Sequence, residues 1–170
     1  MNKKKLTLDE TFILAFENHK KNNLKEAENL YKEILKINPN HFESTLYLGT
    51  LLGQTNKPDL AKPFLQKIIQ INPNHIKTHN NLGMVFQKLG EHKAAINSFE
   101  KAISINPNYI QAHFNLGNLQ RELGNHHAAV TCYQKAIQID PENISIINAL
   151  SNLFKLFKIG NITETDKNNF

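Results

Sequence analysis

Apolar residues in the middle of the chain recur every three or four positions, the spacing that places them on one face of an α-helix. One such series runs from Ile76 to Leu89, and a second runs from Ala94 to Ile103. Gly90 stands between them, and glycine at the end of a helix adopts the left-handed backbone without a side-chain clash. The pattern therefore predicts two helices joined by a tight turn at Gly90.

The same pair of helices repeats along the chain with a period of 34 residues. Asn22, Asn56 and Gly124 take the place of Gly90 in the other repeats, and asparagine is the next most tolerant residue in the left-handed conformation. A fixed period of this length predicts an array of stacked helix pairs. The period is also marked by Asn38-Pro39-Asn40, Asn72-Pro73-Asn74, Asn106-Pro107-Asn108 and Asp140-Pro141-Glu142, by Leu48-Gly49, Leu82-Gly83 and Leu116-Gly117, and by Ala27, Ala61, Ala95 and Ala129.

These repeats determine the predicted domain organisation. A helix pair cannot bury its apolar face alone, so neighbouring pairs are expected to stack into one domain. We predict a flexible basic N-terminus over residues 1–7, a repeat array over 8–157 and a polar C-terminal tail over 158–170. Within the array, the predicted full repeats are 8–41, 42–75, 76–109 and 110–143, followed by a partial repeat at 144–157.

Two predictions concern the ends of helices. Asn40, Asn74 and Asn108 follow the turn prolines and are suited to cap the helix that comes next. Pro63 falls within the second helix of repeat two, where its missing N–H is expected to kink the helix or to delay its start.

Small residues predict how each helix pair closes. Gly49, Gly83 and Gly117 lie in the first helices, and the period-matched alanines lie in the second helices. Larger side chains at these positions would separate the two backbones, so we expect close helix contacts there.

This pattern resembles the tetratricopeptide repeat (TPR) family, with small residues at repeat positions eight and twenty, an aromatic residue or leucine at position twenty-four, and proline at position thirty-two. The resemblance covers residues 8–157, although Thr11, Thr45, His79 and His113 replace the large aromatic residue usual at position four. It implies an all-α fold, namely a right-handed α-solenoid of antiparallel helix pairs with four full repeats plus a terminal helix. In the family, the first helices line a concave groove that binds peptides or proteins, and the second helices form the convex back.

If repeat positions two, five, six, nine, twelve and thirteen line the groove, as the resemblance implies, the later repeats present mainly amides. An asparagine side chain both donates and accepts hydrogen bonds, so it can pair with the backbone of an extended peptide whatever that peptide's side chains. Alternatively, these amides are solvated and bridge neighbouring repeats. The candidate peptide-binding residues are Lys77, Asn80, Asn81, Gln87, Gln111, Asn115, Asn118, Arg121, Asn148 and Asn152.

Two features of the groove positions differ along the chain. Position six holds asparagine in repeats three and four, which is similar to the asparagine ladder in the repeat superhelix of O-linked N-acetylglucosamine transferase. The early repeats instead place Phe12, Phe16, Leu46 and Tyr47 at groove positions. These residues suit an apolar anchor pocket or a self-association surface, or they belong to the core.

Composition narrows the classes of function. The chain has 170 residues, of which 40% are hydrophobic and 21% charged, with a formal charge of +5. Its basic residues are dispersed and lie near acids, without a series of stacking aromatics, so nucleic-acid binding is not expected. A single cysteine cannot form an internal disulfide, and no stretch approaches the roughly 18 apolar residues of a membrane span. A cytoplasmic location without membrane attachment is expected.

No set of residues predicts catalysis or a cofactor. His75 and His79 lie one helical turn apart, and His113 follows one repeat after His79, but no cysteine or carboxylate pair accompanies them as a zinc site requires. Cys132 has no resolving cysteine. We therefore expect no metal site, no cofactor and no enzymatic activity.

The sequence favours a protein–protein interaction scaffold that binds an extended peptide segment of a partner in the concave groove. The alternative is the substrate-recruiting TPR arm of a larger enzyme, such as a glycosyltransferase, oxygenase or methyltransferase. The last helix is very apolar, and Phe154 and Phe157 are expected to meet another protomer or a further domain, or to be covered by the tail from Asn161.

Overall fold

The computed structural model describes residues 6–158, with side chains described as far as Leu156. The predicted flexible N-terminus and polar tail therefore lie outside the described residues, except for Leu6, Thr7 and Lys158. All regular secondary structure between residues 6 and 158 is α-helical. The helices are α1 Leu8–Lys20, α2 Leu24–Ile37, α3 Phe42–Gln54, α4 Pro58–Ile71, α5 Ile76–Lys88, α6 His92–Ile105, α7 Ile110–Glu122, α8 His126–Ile139 and α9 Ile144–Lys158.

The helices follow the period of the sequence. The first helices begin at Leu8, Phe42, Ile76 and Ile110, and the terminal helix begins at Ile144, each 34 residues after the previous one. This order confirms the predicted all-α fold of four helix pairs plus a terminal helix.

The described residues form two compact units, which meet in sequence at Gly90 and Glu91. The N-terminal unit contains α1–α5, and its core includes the fully buried side chains of Tyr31, Leu48 and Leu65. The C-terminal unit contains α6–α9, and its core is built around Tyr133, Ile146 and Leu153. Each unit therefore has an apolar core of its own.

The turn within each helix pair has the predicted left-handed residue. The backbone φ angles are 62° at Asn22, 56° at Asn56, 73° at Gly90 and 79° at Gly124. Asparagine and glycine tolerate this region because a short polar side chain, or none, relieves the clash that other residues meet there. The prediction for these four turns is confirmed.

The predicted asparagine caps are wrong by one residue. The side chain of Asn38 accepts a hydrogen bond from the backbone N–H of Asn40 at 3.1 Å, so Asn40 belongs to the turn around the proline. The next residue, His41, is the N-cap of α3, and its ring Nδ1 accepts from the backbone N–H of Ser44 at 3.2 Å. The caps of α5 and α7 are likewise His75 and Tyr109, not Asn74 and Asn108.

Pro63 does not delay the second helix of repeat two. Helix α4 runs from Pro58 to Ile71 and has 14 residues, the same length as α2. It starts at Pro58 because proline in the first turn lacks an N–H that the helix would leave unpaired there anyway. Of the two alternatives, the delay is therefore wrong. Pro63 lies within a continuous helix, and a kink there stays a prediction.

Close helix contacts occur where small residues predict them. A methyl group placed on Gly117 would lie 2.6 Å from Cε1 of Tyr133, well inside van der Waals contact. A methyl group on Gly49 would lie 3.0 Å from Cγ of Leu65. Tyr133 and Leu65 both occupy repeat position twenty-four, so α7 and α3 each use a glycine to admit the large side chain at that position of the following helix.

Candidate functional site

In each unit, we call repeat positions two, five, six, nine, twelve and thirteen of the first helices the first-helix face. These helices are α1, α3 and α5 in the N-terminal unit and α7 and α9 in the C-terminal unit. In the N-terminal unit this face begins with aromatic residues. The ring of Tyr47 lies 5.9 Å from that of Phe12 and 5.0 Å from that of Phe16, and it stacks on Tyr31 at 6.2 Å. We call these four residues the aromatic cluster. Phe12 and Tyr47, together with Leu46, are half-buried against the core of the unit. A contribution to the core is one of the three roles considered for these residues.

His19 extends the aromatic cluster toward α3. Its Nε2 lies 3.0 Å from Oε1 of Gln54, and its Nδ1 lies 3.5 Å from the hydroxyl of Tyr31. Because the glutamine oxygen only accepts, this geometry fits the imidazole with its proton on Nε2. Burial, and to a smaller extent the neighbouring Tyr47, raises the pKa of Tyr31. The tyrosine hydroxyl therefore stays protonated and available as a donor.

A small cavity opens on the first-helix face between α3 and α5, and we call it the slot. Its volume is about 90 Å³. Gly49, Leu65 and Val85 are buried and form its inner end, whereas Gln54 and Met84 are exposed and lie at its mouth. The slot therefore combines an apolar interior with a partly polar entrance.

Asn81 stands at the entrance of the slot. Its side-chain N–H₂ donates to Oγ1 of Thr50 at 3.0 Å, which links α5 in repeat three to α3 in repeat two. Asn81 therefore bridges neighbouring repeats, as the alternative interpretation of the amides expects. The same side chain is only half-buried and also lines the slot, so it is partly accessible from the slot.

The other candidate residues of the N-terminal unit differ in exposure. Lys77 is exposed at the start of α5, and Gln87 is half-buried near its end. Asn80 is only 5% exposed. Its amide is therefore less available to a ligand than the amide of Asn81.

The C-terminal unit places polar groups at the matching positions. The hydroxyl of Tyr133 donates to Oδ1 of Asn118 at 2.8 Å. Burial raises the pKa of Tyr133, and the nearby positive charge of Arg121 lowers it in part. Asn118 and Arg121 are both half-buried, so they support the tyrosine and also reach the first-helix face.

The remaining candidates of this unit lie nearer to solvent. Gln111 is exposed on α7, and Asn148 and Asn152 are exposed on α9. Asn115 is half-buried. Among the candidate residues of this unit, three amides are therefore exposed and the amides of Asn115 and Asn118 are half-buried.

Helix α9 has one buried and one exposed apolar side. Ile146 and Leu153 are almost completely buried, whereas Ile144 is 72% exposed and Phe154 is 41% exposed. The side chain of Phe157 lies outside the described residues. The predicted role of Phe154 and Phe157 in self-association or in contact with a further domain therefore stays a prediction.

The position-four histidines have a structural role that the sequence did not reveal. Nε2 of His79 lies 2.8 Å from the carbonyl oxygen of Pro73, and Nε2 of His113 lies 2.8 Å from that of Pro107. Since a carbonyl oxygen only accepts, each imidazole donates to the proline turn that precedes its helix. The equal spacing of the histidines and prolines was the signal available in the sequence.

Neither a metal centre nor a membrane span is found in the described residues. Between residues 6 and 158, no three histidine, cysteine, aspartate or glutamate side chains are grouped as metal ligands would be. Among the helices of the same range, none combines the length and apolar composition that crossing a bilayer requires.

Two family models match the chain. A model described as tetratricopeptide repeat matches residues 77–142, and a model described as anaphase-promoting complex, cyclosome, subunit 3 matches residues 20–102. No curated protein matches the sequence.

Solved structures of MamA proteins are similar in fold. One MamA protein is 26% identical with a TM-score of 0.75, over 87% of this chain and 81% of that chain. A second MamA crystal structure is 27% identical with a TM-score of 0.73, over 83% and 82% of the two chains. The MamA fragment 41-end from Desulfovibrio magneticus RS-1 has a TM-score of 0.76 at 20% identity, over 81% and 78%, which shows the fold alone.

The helix pairs, the left-handed turns and the period place the chain in the class of helical-repeat proteins. Within that class, the family model over residues 77–142 and the similar MamA structures show that the repeats are of the tetratricopeptide type. The predicted similarity to the O-linked N-acetylglucosamine transferase superhelix is tested by none of these comparisons and stays a prediction.

Proposed function

We propose that this protein–protein interaction scaffold binds an extended segment of a partner protein along its first-helix face. The family matches and the MamA-like fold support the scaffold function. The observation that favours the first-helix face is the position of Asn81, whose half-buried amide lies at the entrance of the slot. An extended peptide there would meet a polar group and an apolar cavity side by side.

The spacing of stacked helices suits an extended ligand. Packed helices lie about 8–10 Å apart, and an extended chain advances about 3.3 Å per residue. A peptide running across α1, α3 and α5 would therefore place about every third residue against a new first helix. Amides at these positions pair with peptide N–H and C=O groups, which every peptide offers.

The alternative function, a substrate-recruiting arm of a larger enzyme, is not favoured. Neither family description names a glycosyltransferase, an oxygenase or a methyltransferase, and the similar structures are MamA proteins. The fold is that of a scaffold. The absence of catalysis, of a cofactor and of nucleic-acid partners stays an expectation. A cytoplasmic location is likewise an expectation.

Site-specific photocrosslinking tests which face binds. A benzophenone amino acid replaces Gln111, which is exposed on α7, and in a matched variant it replaces Gln134, which is exposed on α8. We expect partners from the native cell to crosslink at position 111 and not at position 134. Equal crosslinking at both positions would contradict binding by the first-helix face.

A second measurement tests the amides. Peptides from the crosslinked segments are titrated against the native chain and against the Asn81→Ala/Asn115→Ala variant by fluorescence anisotropy. Losing two hydrogen-bonding groups is expected to weaken binding by on the order of tenfold. Unchanged affinity, with an unchanged thermal midpoint, would remove the amides from the proposal.

A further inference from the structure

The slot is not a general feature of the repeats, because it depends on one glycine of repeat two. Gly53 occupies repeat position twelve, where the other full repeats have His19, Gln87 and Arg121. Even a methyl group on Gly53 would lie 3.2 Å from Cγ2 of Val85 and would narrow the cavity. The space beside Val85 therefore exists only because repeat two lacks a side chain at this position.

The size of the slot determines what fits. An apolar cavity of roughly 150 Å³ accommodates a benzene ring, and the slot measures about 90 Å³. A branched aliphatic side chain such as that of leucine or valine is smaller than a ring and matches the apolar interior formed by Leu65 and Val85. An aromatic side chain would not enter without moving the helices.

The charges around the slot favour an acidic ligand. Repeat position thirteen holds Lys20, Gln54 and Lys88 in the three first helices of the N-terminal unit. Nζ of Lys88 lies 2.5 Å from the carbonyl oxygen of Gly53, which places this ammonium beside the slot. Nζ of Lys20 lies 5.6 Å from the ring centre of Phe16, within the aromatic cluster.

The carboxylates of the first-helix face in this unit lie farther away. Asp9 and Glu43 occupy repeat position two, at the opposite ends of α1 and α3. At 1.5 Å per residue, they stand about 16 Å along the helix from position thirteen. On this face of the unit, the charges nearest to the slot are therefore positive, and a carboxylate next to the bound side chain would be attracted.

We infer that the slot binds one aliphatic side chain of an extended peptide, flanked in that peptide by an acidic residue. This inference rests on the proposed function and adds a preference to it. The amide of Asn81 and the hydroxyl of Thr50 stand at the entrance, where they can meet the peptide backbone on either side of the bound residue.

Methionine methyl NMR reports on the slot directly. The sequence contains two methionines, Met1 and Met84, and Met84 lies at the slot mouth. The whole chain, labelled with ¹³C at its methionine methyl groups, is titrated with short peptides that carry aspartate on both sides of a central leucine, phenylalanine or glycine. We expect the leucine peptide to shift the Met84 signal and to bind at least about tenfold more tightly than the other two.

A variant that fills the slot provides the complementary measurement. Gly53→Gln introduces the side chain found at the same position of repeat three, and Gln66→Ala on the exposed side of α4 serves as the control. We expect Gly53→Gln to reduce the affinity for the leucine peptide to that for the glycine peptide, and Gln66→Ala to change neither. Thermal midpoints of both variants verify that they fold.

The outcomes separate the two proposals. If all three peptides bind equally well to the native chain, the slot has no preference, and the inference is overturned while the proposed function stands. If the phenylalanine peptide binds best, the inference is overturned as well. If none of the peptides binds or moves the Met84 signal, the inference fails together with peptide binding on this part of the face.

The acidic preference has its own measurement. Peptides with asparagine in place of aspartate are expected to bind several-fold more weakly at low salt, and the difference is expected to disappear at high salt because exposed charges are then screened. The Lys88→Gln variant is expected to reduce the difference. Equal affinity of the aspartate and asparagine peptides would remove the acidic residue from the inference.

Discussion

Tyr31 and Tyr133 occupy the same position in repeats one and four, and both side chains are completely buried, yet their hydroxyls meet different neighbours. Tyr31 stacks on Tyr47 and points its hydroxyl toward His19. Tyr133 donates to Asn118. The repeat thus preserves the packing of the ring, while the residues of the first-helix face decide its chemical surroundings.

The first-helix faces of the two units also differ in chemical character. In the N-terminal unit, aromatic rings and the slot give the first-helix face an apolar character. In the C-terminal unit, the exposed amides of Gln111, Asn148 and Asn152 make it polar. Under the proposed function, one fold would therefore combine a region that selects a side chain with a region suited to peptide backbone.

Alanine substitutions of the glycines that contact the position-twenty-four residues are expected to have the largest effect on the packing that the repeats share. Gly117→Ala would place a methyl group 2.6 Å from Cε1 of Tyr133, and we expect it to destabilise the fold by about 1–3 kcal/mol. Gly49→Ala meets Leu65 at 3.0 Å. The same methyl group would lie 3.0 Å from Cβ of Phe64. Because these contacts are longer than the one at Gly117 and alanine favours the helix by about 1 kcal/mol, the stability of Gly49→Ala is expected to stay within about 1 kcal/mol of the native chain.

Urea unfolding of both variants measures this contrast. A Gly49→Ala variant that loses as much stability as Gly117→Ala would show that the two helix contacts are equally tight.

Removing each tyrosine hydroxyl tests the difference between the surroundings. Tyr133→Phe deletes a 2.8 Å hydrogen bond to a half-buried amide and is expected to cost about 1 kcal/mol. Tyr31→Phe deletes a contact of 3.5 Å, at the limit for hydrogen bonding. We expect it to cost less than about 0.5 kcal/mol. Matching losses in urea unfolding would contradict the contrast between the two tyrosines.

The cysteine of the C-terminal unit adds a pH-dependent effect. Burial, assisted by the charge of Glu100, raises the pKa of Cys132 from 9.0 to about 11. Between these pH values the unfolded thiol has lost its proton while the folded thiol keeps it, so the free energy of unfolding decreases as pH rises. Urea unfolding at pH 8 and pH 10.5 is expected to show a larger decrease for the native chain than for Cys132→Ala. Equal decreases would show that the half-buried thiol makes no contribution.

The helices and their turns were predictable because each depends on residues close in sequence. The left-handed conformation of Asn22 and Asn56 follows from the tolerance of asparagine, whatever lies around it. The cap at His41 was not predicted, because Asn38 first uses the N–H of Asn40 to close the proline turn. The hydrogen bond of the proline turn and the helix cap compete there, and residue types alone do not show which of the two forms.

The candidate site was less predictable because it depends on contacts between repeats. Repeat position indicates which way a side chain points, but not what it meets in the neighbouring repeat. Asn81 therefore bridges to Thr50, and Asn80 is buried, although both were assigned to the same face. The slot was missed because it arises from a missing side chain, that of Gly53.

The left-handed turns also suit the addition of repeats by gene duplication. Asn22 and Asn56 hold the same backbone conformation one period apart. A duplication of residues 23–56 would join two ends that already have matching geometry and would insert one whole repeat. Since stability in such arrays is roughly a sum over repeats and their neighbours, an unequal crossover at these turns would yield a longer chain that folds without further change.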